Sequence, residues 1–247
     1  MHRSAPVHVA AGGGIIELPT MAEVHVSRQR LLVGACGVLG PLLLVLYFGA
    51  PVLEPPLANA VYASNPPTAQ VVDAGSRYHD LLFLGTWFQA VGALLSVVFF
   101  VGVTHLAGAA TRLAGMLVVM SAAVLLGVVL AEGVFTLTWA GAAAAGQAGS
   151  ARASFDLMAS FIRVFPMVPA PAVYLSLGAA LLGTGVLPRA FAPLAIGLGA
   201  AFALVGLAGV LVPAATIASA VLSGVQDVWV LAAAVALLVG TRSPSRP

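Results

Sequence analysis

The side chains best placed to do chemistry in this chain are four polar residues stranded in apolar surroundings: Gln89, Glu132, Arg163 and Asp227. Glu132 stands in "VVLAEGVFTLTW", inside a run that carries no other charge from Leu113 onward to Gln147. A charge in hydrocarbon is costly, so such groups face a bundle interior or a water-filled cavity and mark binding sites, proton paths or counter-ions. Arg163 is the expected partner of Glu132. Each charge alone at a helix centre costs about 2.5–3.5 kcal/mol on insertion scales. A guanidinium can clamp a carboxylate with two parallel hydrogen bonds. Asp227 is then the odd charge, sharing Arg163, carrying a proton or attending a ligand cation. Gln89 stands at the rim of the same group.

Other chemistry-bearing residues are less well placed. HExxH, GxSxG and Walker-type spacings are absent. His79 and Asp80 form an adjacent acid–base pair, but at the start of an apolar run they read more simply as a helix cap and interface anchor. His105 lies more than ~30 Å from His79 by helical rise, so the two cannot share a metal. His2, His8 and His25 sit in or beside an N-terminal tail without the fixed geometry a metal demands. Cys36 is the sole cysteine and reads as a small buried residue. No catalytic residue, metal or cofactor is assigned.

The elements that must hold the four polar residues follow from composition. The chain is 61% hydrophobic and only 7% charged, too little charge to cover a soluble domain. Its apolar runs are continuous rather than alternating, which selects helices over a membrane barrel. The expected fold is an all-α polytopic bundle of six transmembrane helices, at about 31–50, 81–107, 113–140, 155–184, 190–212 and 215–240. Residues 1–27 read as a disordered cytoplasmic tail, with Met21 as an alternative translation start. Residues 28–242 form the transmembrane domain, and its first span is too long for a cleaved signal segment. The net charge of +2 offers no concentrated basic face for nucleic acid. The partners implied are the lipid bilayer and a small polar solute or ion.

Arginines mark the ends of the spans. Arg28, Arg30, Arg112, Arg189, Arg242 and Arg246 fall on one side if the spans alternate. By the positive-inside rule both termini are expected to be cytoplasmic. The 51–80 segment is then an extracytoplasmic loop. With its five prolines it is either a plain connector or a lid over what lies beneath.

Counted inward from the outer span ends, Glu132 and Arg163 lie roughly 12 Å deep, Gln89 roughly 13 Å and Asp227 roughly 18 Å. Four helices thus bring polar groups into one slab. Span four is also broken by Pro166, Pro169 and Pro171, which should leave the carbonyls of Ile162, Phe165 and Met167 without helical donors. Such breaks line cavities in transporters, although a kink that shapes packing alone is the plainer alternative. Trp139 and Tyr62 suit interfacial belts, and Ala195, Gly199 and Ala203 form a small-residue packing stripe.

The segments "YHDLLFLGTWFQAVGALLSVVFFVGVTHL" and "QDVWVLAAAVALLVG", with the long first outer loop, resemble a bacterial family of six-span membrane proteins known only as a domain of unknown function. The resemblance spans about residues 30–240 and implies a fold and a location, with no activity to carry over. The expected function is binding or permeation of a small polar solute or ion at an outward-facing intramembrane site. The competing expectation is a structural or accessory subunit whose buried charges only fix helix packing.

Overall fold

The computed structural model describes residues 8–11, 14–17, 21–54, 56, 57, 61, 65–211 and 215–240. Apart from a short hairpin, every regular element is a helix. The hairpin pairs β1 (His8–Ala11) with β2 (Gly14–Glu17), antiparallel, with His8 opposite Glu17. Within the segment expected to be a disordered tail, the described residues thus hold this pairing and the start of a helix at Met21.

The helices are α1 (Met21–Leu53), α2 (Thr68–Arg77), α3 (His79–Leu106), α4 (Leu113–Ala144), α5 (Ala148–Val164), α6 (Pro169–Leu181), α7 (Phe191–Leu211) and α8 (Ala215–Val239). Six stretches are long and apolar enough to cross a membrane, with α5 and α6 together forming the fourth. Large apolar side chains such as Leu113, Met120, Leu204, Leu207 and Val228 point outward. The interior holds Ala, Val, Leu and aromatic residues together with buried Ser, Thr, Gln, Glu and Asp, so polar groups are gathered inside where lipid is the solvent.

Packing closes the spans into a ring. α1 lies between α8 and α3, α4 follows α3, the α5–α6 pair follows α4, and α7 returns the circuit to α8. Close backbone approach sets the α1–α3 contact. A Cβ at Gly92 would sit 2.9 Å from the Gly40 carbonyl oxygen, and one at Gly40 would sit 2.6 Å from the Ser96 hydroxyl. Only glycine fits either place. The expected stripe on α7 is half right. Ala195 is buried and Gly199 meets the Leu175 backbone, but Ala203 is exposed. Gly206 takes its role, lying against the Pro166 carbonyl and the Met167 backbone.

Helix length changes the reckoning of depth. α4 has 32 residues, about 48 Å of helix against a hydrocarbon core of about 30 Å. Its C-terminal end lies beside α2 and the start of α5. There a second, smaller core gathers Leu57, Val71, Ala74, Trp139, Phe155 and Met158. Trp139 is fully buried, donating Nε1–H to the Val71 carbonyl at 2.9 Å and meeting Phe155 edge-on. It is thus a core anchor and not the interfacial residue its type suggested. Tyr62 lies outside the described residues.

The 51–80 segment is tied down over this end. Tyr78 donates to Glu54 at 3.1 Å, and Arg152 on α5 donates to Asn65 at 2.9 Å, to the Pro66 carbonyl, and to Asp156 at 2.9 Å. Among its described residues, Leu57 and Val61 cover part of the cavity described below. At Tyr78 the chain turns directly into α3 without a side-chain cap. His79 contacts Asp80 at 2.9 Å on an exposed surface, so the expected capping role is not the one they play.

Candidate functional site

Glu132 is the centre of the polar interior. Its Oε1 accepts the Gln89 amide at 2.9 Å and the Tyr47 hydroxyl at 3.1 Å. One carboxylate oxygen thus joins α1, α3 and α4. The glycines make room: a Cβ at Gly133 would meet Thr86 at 3.0 Å, and one at Gly85 would meet the Tyr47 ring at 3.3 Å. By rise from the arginine-marked ends, Tyr47, Gln89 and Ser223 all lie roughly 26 Å up their helices, and Glu132 roughly 28 Å. The four are thus nearly level with one another along their helices.

These residues face a cavity of about 120 Å³. Much of its wall is apolar, including Leu44, Phe100, Leu125, Val129, Met158 and Phe165. Its polar surface comes from Gln89, Glu132, Thr136 and Ser96 on one side, and from Ser219, Ser223 and Gln226 of α8 on the other. The α8 set recurs at spacings of four and three residues, one face of a helix. That periodicity was available in the sequence and went unread beside the more conspicuous Asp227.

Three acceptors in this wall lack a donor among the described residues. Glu132 Oε2 makes no hydrogen bond, and the Oε1 atoms of Gln89 and Gln226 are buried without a partner. The orientation of Gln89 follows from its neighbour, because only the amide nitrogen can serve a carboxylate. Its oxygen is consequently left over. Three of the hydroxyls are committed: Ser96 donates to the Gly92 carbonyl, Thr136 to the Glu132 carbonyl and Ser223 to the Ser219 carbonyl, all within their own helices at 2.9–3.0 Å. Each therefore offers only lone pairs to the cavity.

Arg163 is not part of this site. The ion pairs among the described residues are Arg77–Asp73, His79–Asp80 and Arg152–Asp156, so the expected clamp on Glu132 does not form. Arg163 is exposed at the end of α5 and lines a neighbouring hollow of about 10 Å³, which shares Ile162 and Ser219 with the cavity. The physical reason is that Glu132 already has its donors in Gln89 and Tyr47, while an exposed guanidinium on a long stem needs no buried partner.

Asp227 also stands apart. It is 4% exposed, does not line the cavity, and has no hydrogen bond or ion pair among the described residues. It lies within electrostatic reach of Tyr174, whose buried hydroxyl likewise has no partner. The Tyr174 ring sits among Phe100, Phe202 and Trp229, with centroids 5.7, 6.3 and 5.7 Å away. Of the four residues singled out from sequence, the structure brings together Glu132 and Gln89. Tyr47, Ser223 and Gln226 complete the set.

Span four breaks at Phe165–Val168, between α5 and α6. The Phe165 carbonyl, expected to be left without a donor, instead accepts from the Ala170 amide at 3.1 Å, one residue beyond the helical register. Among the described residues no group of three or more His, Cys, Asp or Glu could hold a metal ion. Comparison with protein-family models, curated proteins and solved structures finds no match to this chain.

Proposed function

We propose that this protein binds a small solute in the cavity around Glu132, entering from the α2 end. The observation that carries this reading is Glu132 Oε2, which has no donor among the described residues, on a cavity wall shared with Gln89 and Gln226, whose buried Oε1 atoms also lack a partner there. A buried acceptor without a donor costs about 1–3 kcal/mol, and that cost is unmet by packing alone. A ligand or water that supplies donors removes it. Arg28, Arg30, Arg112 and Arg189 mark the other end, so the positive-inside rule makes the α2 end extracytoplasmic and both termini cytoplasmic.

A second reading has its own observation. The Glu132 hub bonds three spans at once, as a residue serving helix register alone would. The two readings differ at Gln226, which touches the cavity but not the hub. The test is a thermal-unfolding screen of purified protein against small water-soluble amines, alcohols and carboxylates. A rise in Tm that disappears in Gln226→Leu supports solute binding. No rise with any class, or a rise indifferent to Gln226→Leu, leaves the register role.

A further inference from the structure

We infer that the solute is a small organic ammonium ion with an apolar body; this rests on the binding role proposed for the cavity. Three features point to that chemistry. First, most polar side chains described in the wall have their protons committed: Ser96, Thr136 and Ser223 donate to the Gly92, Glu132 and Ser219 carbonyls. The Tyr47 hydroxyl and the Trp139 indole donate to Glu132 and to the Val71 carbonyl. The Ser219 hydroxyl and the two glutamine amides keep protons for a ligand, and the Glu132 carboxylate is the one charged group described in the wall.

Second, among the described residues no arginine or histidine lines the cavity. Arg163 lines the neighbouring hollow, which shares Ile162 and Ser219 with it. An anionic ligand would meet Glu132 with no compensating positive charge, and burying it there is prohibitive. An ammonium group has three donors and no acceptor. It answers Glu132 Oε2 together with the glutamine oxygens through charge-assisted bonds.

Third, the rest of the wall excludes a fully hydrated ion. Leu44, Leu125, Val129 and Met158 provide an apolar surface, and Phe100 and Phe165 add aromatic side chains to it. A volume of about 120 Å³ is of the order of the ~150 Å³ cavity that admits benzene. Solutes from butylammonium to benzylammonium match it.

The test uses full-length protein in detergent or nanodiscs and two matched sets of probes: n-butylammonium, 1-butanol and butyrate, and benzylammonium, benzyl alcohol and benzoate. The ammonium members are expected to raise Tm in a saturable manner while their neutral and anionic counterparts do not. Glu132→Gln should raise the half-saturating concentration by about tenfold or more, as for loss of a hydrogen bond to a charged group. Gln226→Leu should raise it several-fold, and it leaves the Glu132 hub intact should Glu132→Gln fail to fold. Stabilisation by butyrate or benzyl alcohol that Gln226→Leu abolishes would keep the binding cavity and overturn the ammonium assignment. Absence of stabilisation by every probe would overturn both, as would an ammonium effect that survives both substitutions.

Discussion

Gln89 on α3 donates its amide to Glu132 on α4 at 2.9 Å, and in doing so leaves its own carbonyl oxygen buried without a donor. The same bond that settles one polar group unsettles another. Because Tyr47 of α1 serves the same carboxylate oxygen, three spans meet at one atom while the second oxygen of Glu132 is kept for the cavity.

Removing one arm of this hub should be measurable but not ruinous. Gln89→Leu is expected to lower stability by about 0.6–1.7 kcal/mol, the range for interhelical hydrogen bonds in membranes. Tyr47→Phe should cost a similar amount. Because both act through Glu132 Oε1, a double-mutant cycle in detergent unfolding should show coupling of at least about 0.5 kcal/mol.

Glu132 and Arg163 should behave as strangers. The Glu132→Gln and Arg163→Gln losses are expected to add within about 0.3–0.5 kcal/mol, as for sites without shared partners. Rescue of Glu132→Gln by the second substitution, seen in the same unfolding assay, would mean that the two charges meet.

Backbone contact between α1 and α3 holds Tyr47 within reach of Glu132. A methyl group added at Gly92 would lie 2.9 Å from the Gly40 oxygen and 3.0 Å from Leu44, and a backbone atom cannot swing away. Gly92→Ala should cost about 1–3 kcal/mol through overpacking, read as a fall in the unfolding midpoint.

Arg152 fastens the described part of the 51–80 segment to α5 through Asn65 and Pro66. Arg152→Ala should speed proteolytic cleavage of that segment by about tenfold, the change that ~1.4 kcal/mol of lost local stability produces. Lysine should restore little, since one ammonium cannot reproduce the guanidinium fork that reaches three acceptors. Limited proteolysis of reconstituted protein measures both variants.

Much of the fold was legible because lipid imposes a strong pattern. Continuous apolar runs and arginines at their ends placed six spans close to where they lie, and three prolines marked the break before α6. The partnership of Gln89 with Glu132 was legible in part, through their similar depth. Arg163 misled because depth along a span does not say which way a side chain faces, and this one is exposed. Asp227 misled for another reason: a charge one residue away drew attention from Gln226, and residues 226 and 227 point in directions about 100° apart on a helix. Tyr47 was hidden by its type, since tyrosine near a span end reads as an interface anchor. Unspent hydrogen-bonding capacity, the feature that distinguishes this cavity, depends on partners in space and has no linear signature.

The account stands or falls on whether water reaches the α8 face opposite Glu132. In a Cys36→Ala background, cysteines at Ser223 and at Ala233, a fully buried α8 residue outside the cavity wall, can be exposed to aminoethyl methanethiosulfonate in intact vesicles and counted by mass. The account predicts rapid modification of Ser223→Cys and none of Ala233→Cys. A protected residue 223, or equal reactivity at both positions, would contradict it.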